Sequence, residues 1–192
     1  MVRNFYGALR TKDVDSGANT VRRLIHGVIL HGEQYLKPER RTEPTTYYGP
    51  DSGVAIAIKN FNPANQRVGV IGLGSGTLAV WGKPGDTYHF YDINPQVIDI
   101  AQSEFTYLKD SKAKIEISLG DARLSLEREA PHNFDVLIVD AFSSDAIPVH
   151  LMTMEAMAVY LRHLKPGGAV VFHVTNRFLK LAPVVKRIAD EH

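Results

Sequence analysis

The sequence predicts an α/β fold in which a mostly parallel sheet follows a small β-stranded segment. Three observations lead to this prediction. From residue 54 onward, short apolar runs alternate with segments of helical periodicity. A glycine-rich turn follows one of these runs, and aspartates stand at the ends of three runs. Strands that alternate with helices form parallel sheets with right-handed crossovers.

The composition is that of an ordinary globular chain. Of its 192 residues, 44% are hydrophobic and 22% are charged, and the net charge of +1 argues against binding to nucleic acid or membranes through bulk charge. The chain contains no cysteine, which excludes disulfides and thiolate chemistry. No apolar run approaches the roughly 20 residues that span a bilayer, and the N-terminus lacks a signal-peptide core, so we expect a cytoplasmic protein.

Residues 1–44 are predicted to form a small β-stranded N-terminal segment. Its predicted elements are a strand over 4–10, a turn over 13–19 and two strands over 20–34 that join near Gly27. Because this segment is too small to bury a core alone, we expect it to pack on the main domain or on a second subunit. The main domain is predicted to comprise residues 45–192.

The main domain is organised around a strand, a glycine turn and an acid. The apolar run 68–71 leads into the turn, and Asp92 ends the next apolar run about 20 residues later. The glycines of the turn are Gly72, Gly74 and Gly76. Such glycines let the backbone approach a nucleotide, and the acid accepts hydrogen bonds from ribose hydroxyls. A dinucleotide site needs glycine where this chain has Thr77, so the spacing favours the Rossmann-like class I fold that binds S-adenosylmethionine or a relative.

The other predicted elements of the main domain alternate between helix and strand. They are helices over 54–58, from Thr77, over 95–105, over 151–164 and over 181–190, and strands over 115–119, 134–139 and 169–174. Lys165-Pro-Gly-Gly is predicted to end the helix that precedes it. A complete domain of this kind carries two further closing strands. We therefore expect these to be missing at the C-terminus, as in a fragment, a truncated gene or a sheet that another chain completes.

Three aspartates end successive predicted strands, namely Asp92, Asp121 and Asp140. Because ligands lie beyond the carboxyl ends of strands in open α/β sheets, we expect these residues to contact the ribose, an adenine amino group and the reacting centre, respectively. Each aspartate alone could instead cap a helix. The loop 141–153, with Asp145, is expected to gate a second substrate or simply to cap the next helix. The histidines show no metal-ligand spacing, so no metal site is predicted.

The chain resembles the spermidine synthase family of polyamine aminopropyltransferases, particularly the form found fused behind membrane-transporter domains or alone in bacteria. The motifs that carry the resemblance are LHGEQY, VIGLGSG, YDINP, GDAR, FDVLIVDAFSSDAIPVHLMT and LKPGGAVVFHV. The resemblance implies a catalytic domain behind a β-stranded N-terminal domain, usually in a homodimer. It also implies decarboxylated S-adenosylmethionine as co-substrate and a di- or polyamine as acceptor.

The resemblance further implies roles for individual residues. Asp140 corresponds to the catalytic aspartate that orients and deprotonates the attacking amine. The implied nucleoside-binding residues are Gln34, Gly72, Gly74, Ser75, Gly76, Asp92, Ile93, Asp121 and Ala122. The implied acceptor-binding residues are Tyr47, Tyr48 and Asp145.

Three departures from the family pattern keep other functions open, one of which is that the family's D-x-x-D-P loop appears here as Asp140 and Asp145, five residues apart. Ser75 stands where family members commonly have an acid that holds the aminopropyl amine, and Gly49-Pro50 stands where they have His or Gln followed by Glu. The alternatives are an S-adenosylmethionine-dependent methyltransferase and a non-enzymatic nucleoside-binding or assembly domain. Methyltransferases usually carry an acid two residues before the first glycine, where this chain has Val70.

Overall fold

The computed structural model describes residues 1–17, 19–61, 64–142, 147–175 and 179–192. It confirms the predicted α/β fold, because a four-stranded antiparallel sheet precedes a five-stranded parallel sheet with helices on both faces. Among the helices of the described ranges, none has both the length and the apolar character needed to cross a bilayer.

The N-terminal sheet is a meander of antiparallel strands in chain order. Its strands are β1 Val2–Asn4, β2 Gly7–Ser16, β3 Asn19–His26 and β4 Ile29–Tyr35. The predicted junction near Gly27 is confirmed, and this glycine has a φ of 60°. The predicted turn over 13–19 was too long, because Asp13 pairs with Arg22 across the hairpin and lets β2 continue to Ser16.

The parallel sheet has the order β7-β6-β5-β8-β9. Its strands are β5 Arg67–Ile71, β6 Thr87–Asp92, β7 Lys114–Leu119, β8 Phe134–Val139 and β9 Leu164–Phe172. Successive strands are added on one side of the sheet from β5 to β7 and on the other side from β8 to β9. Ligands of open α/β sheets bind where the strand order reverses in this way, which here is the space beyond β5 and β8.

Helices cover both faces of the parallel sheet. They are α1 Gly53–Asn60, α2 Pro95–Ser103, α3 Tyr107–Asp110, α4 Ala122–Arg128, α5 Met154–His163 and α6 Ala182–Asp190. Alternate residues of β8 point to opposite faces, so Val136 and Ile138 pack in one apolar cluster with residues of α1 and α2. Leu137 and Val139 pack in a second cluster with residues of α4 and α5. Thr153 caps α5, as expected.

In the main domain, two predicted boundaries were wrong. The helix expected from Thr77 is a 3₁₀ helix over Thr77–Trp81, which ends at Gly82. Lys165-Pro-Gly-Gly does not separate helix from strand, because β9 already begins at Leu164. Lys165 forms an ion pair with Asp135 of β8, and the register shifts beside this pair. Pairing with β8 therefore outweighs the local turn preference of the sequence.

The N-terminal sheet packs on the main domain, as expected. Leu9 and Leu24 are almost fully buried against Ile100 and Phe105, with Val97 beside them. Polar contacts add to this apolar contact, because the guanidinium of Arg22 donates to the backbone oxygen of Glu104 (3.0 Å). The two sheets are thus joined next to the carboxyl ends of the parallel strands.

Candidate active site

A cavity of about 380 Å³ lies where the parallel strands end, beneath the N-terminal sheet. Its volume is within the range of roughly 300–1,000 Å³ that is usual for small-molecule sites. The predicted site residues that line it are Tyr47, Tyr48, Gly72, Gly74, Asp92, Ile93, Asp121, Ala122 and Asp140. The side opposite the strand ends is formed by residues of the N-terminal sheet, including His26 and His31. We call this space the nucleoside cavity.

The glycine turn brings the backbone close to neighbouring segments. Gly72 has a φ of 103°, and a β-carbon there would lie 2.5 Å from the backbone oxygen of Asp140. A β-carbon on Gly74 would lie 3.0 Å from the backbone oxygen of His31. Only glycine permits these approaches, so the turn packs directly against the loop that follows β8 and against β4.

Asp92 holds the glycine turn to the end of β6. Its carboxylate accepts hydrogen bonds from the backbone N–H of Leu73 (3.0 Å) and of Asn94 (2.9 Å). Burial raises the pKa of Asp92, and these two N–H donors oppose that rise. A carboxylate has about four acceptor positions, so Asp92 can still accept hydrogen bonds from hydroxyls of a ligand in the cavity.

Asp121 caps a helix and also faces the nucleoside cavity. One carboxylate oxygen accepts from the backbone N–H of Leu124 (2.9 Å) and caps α4. The other accepts from the Nε2 of His150 (2.7 Å), a residue of the loop that follows β8. Asp121 also lines the nucleoside cavity beside the buried Ala122. The capping role is therefore present, and the predicted adenine contact stays a prediction.

Asp140 is held from two sides. Its Oδ2 accepts from the hydroxyl of Tyr48 (2.6 Å), and its Oδ1 accepts from the Nδ1 of His173 (2.6 Å). Only 4% of its side chain is exposed. Burial, followed by the negative charge of Asp140, raises the pKa of Tyr48 well above its usual value and that of Tyr47 to about 12. Both phenols therefore stay protonated at neutral pH, and Tyr48 acts as a donor to Asp140.

A second cavity, of about 270 Å³, adjoins Asp140. It is lined by Tyr47, Tyr48 and Asp140, by the start of α1 and by residues that end and follow β9, including His173 and Thr175. We call it the acceptor cavity. Asp140 and the two tyrosines line both cavities. Asp140 and the two tyrosines therefore form the boundary between the two cavities.

His31 is a neutral group at the cavity wall. Burial, followed by the charge of His26, lowers the pKa of His31 to about 4, and Asp140 only partly opposes this shift. Its Nε2 is buried and has no hydrogen-bond partner in the part of the chain that the structure describes. His31 belongs to the LHGEQY motif, but nothing in the local pattern indicated that its side chain would face the cavity.

Three predicted nucleoside-binding residues do not line the cavity. The amide of Gln34 donates to Thr106 Oγ1 (2.9 Å) and to the backbone oxygen of Arg41 (2.8 Å), and it accepts from the N–H of Thr106 (3.0 Å). Ser75 is buried and its hydroxyl contacts that of Thr77 (2.9 Å). Gly76 faces the side chain of Leu108. These three residues therefore do not border the cavity in which the nucleoside was expected to bind.

One predicted acceptor-binding residue, Asp145, lies outside the described residues. His173, which the sequence analysis did not place in the site, immediately follows β9 and reaches Asp140. The rule that singled out acids at the carboxyl ends of strands would have found His173, had it been applied to histidines as well.

Two proteins with related sequences are named as polyamine aminopropyltransferases. The Polyamine aminopropyltransferase of Vibrio vulnificus is 30% identical over 129 residues, which cover 65% of this chain and 42% of that protein. The Probable polyamine aminopropyl transferase of Bifidobacterium longum is 26% identical over 175 residues, which cover 89% of this chain and 36% of that protein. The chain thus spans less than half the length of these relatives. No family model matches it.

Solved structures with similar folds belong to two kinds of protein. A probable spermidine synthase from Corynebacterium glutamicum matches 85% of this chain and 63% of its own, with a TM-score of 0.63 and 17% identity. Human Methyltransferase-like protein 13, solved in complex with SAH, matches 71% of this chain and 69% of its own, with a TM-score of 0.56 and 18% identity. The fold is that of the S-adenosylmethionine-dependent methyltransferases. In this methyltransferase-type fold, the nucleoside cavity lies at the reversal of strand order described above.

Proposed function

We propose that the chain is a spermidine synthase-like aminopropyltransferase. It would move the aminopropyl group of decarboxylated S-adenosylmethionine to a di- or polyamine and release methylthioadenosine. The observation that carries this proposal is the position of Asp140, which lines both cavities and is held by Tyr48 and His173. The sequence similarity to two proteins named as polyamine aminopropyltransferases supports it.

The charge of the nucleoside cavity suits a sulfonium substrate. Asp92, Asp121 and Asp140 contribute carboxylates, and the described lining contains no lysine or arginine. Both substrates of the proposed reaction are cationic, so a cavity with this charge attracts them. Gly72 and Gly74 line this cavity without side chains, and Asp92 retains acceptor positions for the ribose hydroxyls of the nucleoside.

The proposed reaction is a direct displacement at carbon. The acceptor nitrogen forms a bond to the methylene carbon next to the sulfonium, the carbon–sulfur bond breaks, and its electron pair stays on sulfur. The amine loses one proton to a base, for which Asp140 is the predicted residue. Because Asp140 borders both cavities, it can orient the amine toward the reacting carbon, and such positioning supplies much of the rate in displacements of this kind.

Methyl transfer from S-adenosylmethionine is the second candidate, and one observation favours it. Ser75 is buried and bonded to Thr77, so its side chain offers no carboxylate to the amine of an aminopropyl group. A site without that carboxylate has less reason to prefer the decarboxylated co-substrate. The nucleoside contacts proposed above serve either co-substrate equally.

A product analysis distinguishes these functions. The protein is incubated with decarboxylated S-adenosylmethionine or S-adenosylmethionine and a panel of diamines and polyamines, and the nucleoside product is identified by mass spectrometry. Methylthioadenosine that depends on the amine supports aminopropyl transfer, whereas S-adenosylhomocysteine supports methyl transfer. Tight nucleoside binding without either product would overturn both and favour a binding domain.

The predicted role of Asp140 is tested by Asp140→Asn. This change keeps the size of the side chain and removes its negative charge, so we expect turnover to fall at least about 100-fold, as is usual for loss of acid–base catalysis. Nucleoside affinity, measured by calorimetry with methylthioadenosine, should change less than threefold. Unchanged turnover in this variant would remove Asp140 from the mechanism.

A further inference from the structure

His173 lies at the reacting end of the site in a fixed orientation. Its backbone N–H donates to the backbone oxygen of Val139 (3.0 Å), which ties it to the end of β8. Its ring lies 4.5 Å from the ring of Tyr47 and 4.9 Å from the ring of Phe142. These contacts, together with the hydrogen bond to Asp140, restrict the imidazole to one rotamer.

The nitrogen that faces Asp140 determines what the other nitrogen can do. Nδ1 donates to the carboxylate, so in the neutral ring Nδ1 carries the proton and Nε2 carries a lone pair. Nε2 has no hydrogen-bond partner among the described residues, and 18% of the side chain is exposed. The ring lines the acceptor cavity, where the titratable groups facing it are Asp140, Tyr47 and Tyr48.

Asp140 is less available as a base than its position suggests. Both carboxylate oxygens already accept short hydrogen bonds, and only a small part of the side chain is exposed. A carboxylate bound to Nδ1 of a histidine generally holds the correct tautomer and stabilises the imidazolium that forms when Nε2 takes a proton. Among side chains, histidine is also the most frequent general base.

We propose that His173, in place of Asp140, is the group that takes the proton of the attacking amine, and that Asp140 and Tyr48 are its positioning residues. This inference rests on the proposed transfer reaction. As the amine nitrogen bonds to the carbon next to the sulfonium, its proton passes to Nε2 of His173. The carbon–sulfur bond breaks and sulfur keeps the electron pair, so the products are the neutral thioether, the alkylated amine and an imidazolium paired with Asp140. Solvent then takes the proton.

The test compares His173→Ala with His173→Asn. The asparagine amide can still donate toward Asp140 but provides no base, whereas alanine provides neither. We expect both variants to lose at least about 100-fold in kcat, with the KM of the nucleoside substrate changed less than threefold. Added imidazole should restore part of the activity of His173→Ala and leave that of the wild type unchanged. Recovery of wild-type kcat in His173→Asn, or failure of imidazole to rescue His173→Ala, would overturn the inference.

A second measurement does not depend on turnover or on the folding of a variant. When the imidazole of His173 is neutral, its ¹⁵N chemical shifts in the wild-type protein should report a protonated Nδ1 and an unprotonated Nε2. The opposite tautomer would overturn the inference even if transfer occurs. A wild type that produces neither nucleoside product would instead refute the proposed function, and with it any transfer of an amine proton to His173.

Discussion

The carboxylate of Asp92 both fixes the backbone and faces the nucleoside cavity. It fixes the glycine turn through Leu73 and the start of the next loop through Asn94, although burial in this position disfavours its charged form. A buried carboxylate in such a place is stabilised further by any hydroxyl that donates to it. The ribose of a nucleoside provides two such hydroxyls, so ligand binding and the ionisation of Asp92 should support each other.

Asp92→Asn tests whether this carboxylate binds the ribose. The amide would place a donor opposite a backbone N–H and would accept ribose hydrogen bonds more weakly. Since hydrogen bonds to charged groups contribute roughly 1.5–3 kcal/mol, we expect the Kd of methylthioadenosine to rise about 10- to 100-fold in calorimetry. Asp99→Asn, on the exposed side of α2, is the matched control and should bind as the wild type does. Equal affinities in the two variants would contradict this role of Asp92.

His31 should make the free energy of unfolding depend on pH. Its pKa is about 4 in the folded protein and about 6.5 in an unfolded chain, so the unfolded state takes up the proton first as pH falls. The stability that His31 contributes is therefore complete above pH 6.5 and is lost as pH falls toward 4. The loss should amount to at most about 3 kcal/mol, from 1.36 kcal/mol for each unit of pKa.

Urea denaturation at several pH values measures this effect. His31→Gln carries no titrating group, so its free energy of unfolding should vary less between pH 7 and pH 4 than that of the wild type. The buried His89 and His163 also have lowered pKa values, but they are present in both proteins and cancel in the comparison. Parallel pH curves for the two proteins would show that His31 is not the group responsible.

At the scale of elements, the glycine turn joins two strands that carry site residues. Its first glycine, Gly72, lies against the backbone that follows β8, where Asp140 begins the connecting loop. A side chain at this position would also be strained, because its φ of 103° is one that L-residues rarely adopt. The turn therefore sets the distance between β5 and the loop that carries Asp140.

Gly72→Ala tests this arrangement. The added methyl group would lie 2.5 Å from the backbone oxygen of Asp140, so the loop must move. We expect a loss of about 2 kcal/mol in the free energy of unfolding, from backbone strain and overpacking, and a loss of turnover at temperatures where the variant is folded. Gly49→Ala meets no atom within 4 Å and is the control for stability. A Gly72→Ala variant as stable as Gly49→Ala would refute the close approach.

Sequence patterns predicted the strands that have local signals. They missed the contacts between residues that lie far apart in the chain. Apolar runs and terminal acids placed β5, β6 and β8 with Asp92 and Asp140, because these signals are local. The hydrogen bond between Tyr48 and Asp140 spans 92 residues of sequence, and no local signal encodes it. Gln34 was assigned to the ligand by resemblance, yet its amide hydrogen-bonds to Thr106 and Arg41. Tertiary contacts decided each of these cases.

At the scale of the whole molecule, the nucleoside cavity belongs to both sheets at once. The N-terminal sheet contributes His26 and His31 to its wall, and the parallel sheet contributes the strand ends. The contact that joins the sheets is the apolar cluster of Leu9, Leu24, Ile100 and Phe105. Anything that loosens this cluster should therefore change the cavity as well as the stability.

Ile100→Ala tests this coupling, because Ile100 is buried in the cluster but does not line the cavity. We expect the free energy of unfolding to fall by about 3 kcal/mol, as is usual for buried Ile-to-Ala changes. The Kd of methylthioadenosine should rise several-fold, since the sheet above the ligand is held less firmly. The matched control is Ile56→Ala, at a side chain that is 48% exposed on α1. Unchanged affinity in Ile100→Ala would show that the two sheets hold the ligand independently.

The contact between Gly32 of β4 and Ser75 of the glycine turn links the two sheets at a second point. A β-carbon on Gly32 would overlap the hydroxyl of Ser75 and lie 2.7 Å from its β-carbon. The two positions are therefore not free to vary separately during evolution. A side chain at position 32 is tolerated only if the turn at position 75 or β4 itself shifts. Among descendants of this sequence, position 75 is thus subject to epistasis from a glycine in another sheet.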